Sequence, residues 1–134
     1  MSAENMEALR RVYEGWRVGD FRAGVDLFDP AIVYVIRPEF PDPGIYVGLE
    51  HVANYMRGFL EPWTRLTITA EDFTEVDGSF VVAVRQEGTG TVSGAAGELR
   101  YFQVWSFRGN KVIRFESIRH REQALEAVGL DGRP

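Results

Sequence analysis

The chain has 134 residues, no cysteine, and a net charge of −5 that includes fourteen arginines but one lysine, Lys111. That length builds one domain with a real core, and the absence of thiols excludes disulfides, thiolate metal ligands and cysteine nucleophiles. The arginines form no basic run, which argues against a nucleic-acid partner, and no apolar stretch approaches membrane-spanning length.

His51 and His120 lie far apart without ligand spacing, so neither a metal nor an organic cofactor is expected. The acidic, amphipathic start leads to the expectation of a cytoplasmic protein without a membrane partner.

Met6, Leu9, Val12, Tyr13 and Trp16 recur at helical spacing and predict a first helix over about residues 3 to 18. Gly19 is a plausible left-handed stop, and Asp20 is read as the cap of a shorter second helix carrying Phe21, Val25 and Phe28, broken at Asp29-Pro30. Ala31 to Ile36 reads as a short strand, and three prolines between Arg37 and Gly44 read as loop. Gly48 precedes a third helix with Val52, Tyr55, Met56 and Phe59 on one face, ended by Pro62. The period then changes to two. Leu66 to Val76 and Phe80 to about Thr91 are strands joined by an Asp77-Gly78 hairpin turn. A glycine-rich tip around Gly94 and Gly97 leads into a strand from Glu98 to Phe107, and a turn at Arg108-Gly109-Asn110 into a last one from Lys111 to Arg119. A short helix with Gln123, Ala124, Leu125 and Val128 closes at Gly129, leaving 131–134 as a frayed tail. Helices first and long antiparallel strands afterwards describe an α+β layer arrangement, and Gly88 and Gly90 suit a strongly bent sheet. Gly88-x-Gly90-x-x-x-Gly94 runs into another strand, so it lacks the helix start of a dinucleotide fingerprint.

Several segments resemble, in order, the SnoaL-like family of the nuclear-transport-factor-two-like superfamily. Arg17-Val18-Gly19-Asp20-Phe21 is similar to the family's helix-break-helix corner, and Leu27-Phe28-Asp29-Pro30 to the approach to its first strand. Gly44 to Gly48 resembles the loop opening its third helix, and Val84 to Gly90 and Val104 to Val112 its third and fourth strands. Arg119 to Leu130 is similar to its closing helical segment, with His120 where the family usually has Asp. The resemblance spans nearly the whole chain as one domain, 1–134. It implies an α+β cone-shaped half-barrel, its strongly curved, mainly antiparallel sheet wrapped around N-terminal helices and followed by a short C-terminal helix. It also implies a small apolar or polyketide-like ligand inside the cone, often in a homodimer.

Two enzyme types of this fold supply tests. The ketosteroid isomerase type implies an Asp base where this chain has Ile36, a Tyr donor where it has Val12 and an Asp near Gln103; without a base its enolisation chemistry is missing. The limonene epoxide hydrolase type implies an Arg-x-Asp pair, matched by Arg85-Gln86-Glu87 with Glu for Asp, and a Tyr, matched by Tyr34. Its Asn and its last-strand Asp fall on Ile36 and Ser117. Residues two apart on a strand share a face, roughly 6.5–7 Å apart, so Arg85 and Glu87 either both face the cone or both face outward. Period does not choose between the faces; the resemblance points inward.

Glu87, Arg85 and Tyr34 are accordingly the candidate catalytic residues, with Glu87 as a base. Trp16, Tyr55, Phe59, Trp63 and Trp105 could line a pocket mouth or be plain core, and Ile36 and Gln103 join them through the family positions. Phe115, Ser117 and Arg119 alternate together on the last strand, and the resemblance places them inward. Three functions remain open on the sequence: a cofactor-free acid–base enzyme on a cyclic, partly apolar substrate, a ligand-binding protein without turnover, and a dimerisation module. A homodimer through the outer sheet face is expected.

Overall fold

Helical spacing in the first segment becomes a buried stripe. Leu9, Val12, Tyr13 and Trp16 are all sequestered along one face of α1 (Ser2–Arg17). This is a computed structural model, and it describes residues 2–90 and 96–129. Beyond α1 the order is β1 (Phe28–Ile36), β2 (Gly44–Val47), α2 (Leu49–Leu60), β3 (Trp63–Val76), β4 (Ser79–Gly90), β5 (Ala96–Arg108), β6 (Lys111–Ile118) and α3 (Arg121–Ala127). The glycine-rich tip at Gly94 and the tail 131–134 lie outside the described residues.

The predicted second helix does not form. Gly24 sits in the left-handed region at φ 94°, and only a single 3-10 turn, Val25–Leu27, follows it. Asp20 accepts from the Arg22 backbone N–H at 3.2 Å, closing a local turn instead of capping a helix. Phe28 already opens β1, which therefore begins before Asp29-Pro30. Pro30 is tolerated there because the pairing of β1 with β6 shifts register between Phe28 and Val33, so its missing N–H breaks no ladder. Gly44 to Val47, expected as loop, forms a short edge strand against β1.

The six strands make one open, curved sheet in the order β2-β1-β6-β5-β4-β3. Every pairing is antiparallel except β1 with β6, which runs parallel and joins the two ends of the chain. Asp77 and Gly78 take φ of 51° and 84°, the double left-handed turn that an Asp-Gly hairpin requires. On the concave face, α1 packs toward β3 and α2 toward β1 and β2. The main core lies between these helices and the inward residues Phe80, Val82, Val84, Tyr101, Trp105 and Phe115. On the convex face, Val81, Val104 and Ile118 are covered by Ala124 of α3. The predicted arrangement of helices around a curved, mainly antiparallel sheet is the one observed.

Candidate functional site

The two helices fail to fill the concave face, and a cavity of about 1030 Å³ remains between α2, the end of α1 and the sheet. Its walls are mainly aromatic and aliphatic. Tyr34 stacks on Phe115 with centroids 4.7 Å apart and meets Tyr55 edge-on at 5.5 Å, while Tyr55 stacks on Phe59 at 6.0 Å. Trp63 closes another wall by lying across Gly88: a Cβ there would come within 2.5 Å of the indole. Phe40, from the proline-rich loop after β1, meets Tyr101 edge-on at 5.2 Å.

Polar groups inside are neutral, and several are hydrogen-bonded to one another. The Tyr34 hydroxyl and Ser117 Oγ are 3.0 Å apart. Tyr13 donates to Gln103 Oε1 at 2.5 Å, Trp105 Nε1 donates to the Tyr13 oxygen at 2.8 Å, and Tyr101 donates to Gln86 Oε1 at 2.8 Å. Burial drives every one of these phenols away from ionisation. It pushes Tyr34 up to about 12, with the Ser117 hydrogen bond opposing, and moves Tyr13 and Tyr101 well above their ordinary value. Tyr55, half-buried, is raised by desolvation first and then by its tyrosine neighbours. The charged residues lining the cavity, Asp20, Arg22, Asp42, Arg57 and Glu98, are all exposed and form its rim. Among the described residues the interior holds no carboxylate, histidine or lysine, and no three His, Asp or Glu side chains cluster as metal ligands.

Most predicted pocket residues do meet here: Trp16, Tyr34, Ile36, Tyr55, Phe59, Trp63, Gln103, Phe115 and Ser117 all line the cavity. Four do not. Arg85 and Glu87 lie on the convex face, Arg85 Nε 3.3 Å from Glu87 Oε1 and its Nη1 3.7 Å from Glu71. The side chain between them, Gln86, is the one that points inward, in phase with Val82 and Val84. Core packing of Phe80, Val82 and Val84 sets this phase, and a one-residue slip would turn every side chain over. Trp105 is fully buried beneath the cavity, its ring 4.2 Å from Phe115, and serves as core and as a hydrogen-bond donor. Arg119 leaves the end of β6 and donates to the Arg100 carbonyl of β5.

Gln86, Tyr101 and Phe40 also line the cavity, and sequence reasoning does not single them out. Tyr101 alternates with Gln103 and Trp105 on β5, a signal that places it inward once Gln103 is. Gln86 was hidden by the charges on either side of it.

A family model described as a SnoaL-like domain matches residues 9–115. The chain belongs to the SnoaL-like domain family. Solved structures of similar shape include an NTF2-like protein of unknown function from Burkholderia pseudomallei, 18% identical, covering 93% of this chain and 97% of that one with a TM-score of 0.75. TerC, co-crystallised with polyporic acid, is 20% identical over 92% of this chain and 96% of its own, with a TM-score of 0.73. A protein with a ketosteroid isomerase-like fold from Catenulispora acidiphila, in complex with trimethylamine, is 14% identical over 96% and 98%, with a TM-score of 0.72. These likenesses extend the family's fold to this chain. No curated protein matches it in sequence. Among the described residues no helix is long and apolar enough to cross a membrane.

Proposed function

We propose that this SnoaL-like protein holds a small, uncharged ring compound in its cavity, and that the site works by recognition instead of proton abstraction. The observation that carries this reading is the pairing of an aromatic interior with neutral hydrogen-bonding groups and charges confined to the rim. An ionised ligand group would lose its hydration inside without meeting a counter-charge, whereas a neutral ring gains apolar contact. Ligands bound to TerC and to the Catenulispora protein support small-molecule use of this fold. Of the three predicted catalytic residues Tyr34 alone lines the cavity, and with its pKa raised to about 12 it is a hydrogen-bonding group at neutral pH.

Tryptophan fluorescence tests the reading, because Trp16 and Trp63 line the cavity. Fluorene should quench it saturably, and fluorene-9-carboxylate should bind at least tenfold more weakly. Tighter binding of the carboxylate would overturn the proposal.

A homodimer is the second part of the reading. The convex face of β2 exposes Ile45 (68%) and Val47 (53%) beside Val33 of β1, an apolar strip at a sheet edge that a second copy would cover.

A further inference from the structure

Beneath the cavity, donor and acceptor roles start from one group with a single role. The Trp105 indole N–H donates only, and its partner is the Tyr13 oxygen. Tyr13 directs its own proton to Gln103 Oε1, so this amide has its oxygen toward Tyr13 and its nitrogen away. Farther along the wall, Tyr101 donates to Gln86 Oε1 at 2.8 Å. Each phenol thus gives its proton to an amide oxygen, Tyr13 to Gln103 and Tyr101 to Gln86. That contact engages the Gln86 oxygen and leaves two amide N–H groups on a side chain that lines the cavity. Among the described residues no acceptor meets those two N–H groups.

We propose that Gln86 is the specificity-determining residue of the cavity: its amide N–H donates to the ligand, selecting a ring compound with a carbonyl oxygen over one with a hydroxyl. The inference rests on the ligand-cavity reading above and adds the chemistry of the ligand's polar group. An alcohol oxygen accepts from Gln86 too, but its own proton then needs an acceptor. The oxygens of Gln86 and Gln103 each already receive one proton, so the alcohol would have to share an acceptor that is already engaged. A buried donor left without a partner weakens binding. Tyr101 is a positioning residue in this scheme. It holds the Gln86 oxygen and thereby keeps the amide from turning over.

Three tricyclic probes of one skeleton separate the claims: fluorene, 9-fluorenone and 9-fluorenol, each titrated by tryptophan quenching. Fluorenone should bind roughly three- to tenfold more tightly than fluorenol, the range of one neutral hydrogen bond. Gln86→Met should bring that ratio to about one. Tyr101→Phe, which frees the amide to turn, should also lower the ratio. The carbonyl stretch of bound fluorenone should fall to lower frequency than in hexane and return upward in Gln86→Met. A ratio near one in the unaltered protein, or a ratio and stretch that Gln86→Met does not move, would overturn the proposal. Should Gln86→Met not fold, the Tyr101→Phe ratio and the stretch in the unaltered protein decide it. If none of the three probes binds, the ligand-cavity reading fails and this inference fails with it.

Discussion

Arg85 and Glu87 meet on the convex face of β4, Nε to Oε1 at 3.3 Å, with both side chains reaching solvent. Their sequence spacing is that of an interior catalytic pair, but their energetics are those of a surface pair, worth a few tenths to about 1 kcal/mol. Arg85→Met and Glu87→Leu should each change unfolding free energy by within about 0.5–1 kcal/mol, with weak coupling in the double variant. Fluorene binding should survive all three. Chemical denaturation and fluorescence titration check both statements, and strong coupling with loss of binding would return the pair to the cavity.

A different ion pair is the costly one. Glu116 is 3% exposed on the convex side of β6, where Arg37 bonds to it through Nε and Arg114 Nη2 lies 3.5 Å away. Arg37 begins the loop that brings Phe40 over the cavity, so this contact tethers one wall of the site from outside. Arg37→Met should cost roughly 1.5–3 kcal/mol, the range for a hydrogen bond to a charged group. The double variant with Glu116→Leu should cost less than Arg37→Met alone, because no buried carboxylate is then left short of a partner. Urea midpoints of the three proteins measure it, and equal costs for single and double variants would contradict it.

Alkaline pH should unfold the protein through its tyrosines. Below pH 10 Tyr34 is protonated in both the folded and unfolded chain. As pH rises from 10 to about 12, the unfolded chain loses this proton while the folded one keeps it. The unfolded state then binds fewer protons, so stability falls with rising pH. Two units correspond to about 2–3 kcal/mol from Tyr34, and Tyr13, Tyr55 and Tyr101 act in the same direction. The tyrosines should add no slope below pH 10, and denaturation midpoints should drop above it. Ring-carbon NMR shifts showing Tyr34 ionised near pH 10 in folded protein would contradict the account.

Association should depend on the apolar strip at the sheet edge. Light scattering at micromolar concentration should report a dimer, and the paired change Ile45→Glu and Val47→Glu should give a folded monomer. A monomer before any substitution would remove the homodimer.

Element types were legible because periodicity and turn chemistry agreed. The Asp77-Gly78 hairpin and the α1 stripe needed no tertiary information. The face of β4 was not legible, for a physical reason. Phe80-Val81-Val82-Ala83-Val84 is apolar at both phases, since the helices bury one side and α3 covers part of the other. The charges of Arg85 and Glu87 then drew attention from Gln86, whose role depends on Tyr101, fifteen residues away across a strand pair. Gly88 was read as a point of bending; its lack of a side chain also makes room for Trp63. Such close approaches belong to packing and carry no local sequence signal.

The central claim is that the cavity is where a neutral ring compound binds. A crystal structure of the protein grown with fluorene tests it most directly. The account predicts ordered ring density inside, against the Tyr34–Phe115 stack and beneath Tyr55, with the rim charges untouched. Fluorene seated on the convex face, with the cavity filled by the protein's own side chains, would contradict it.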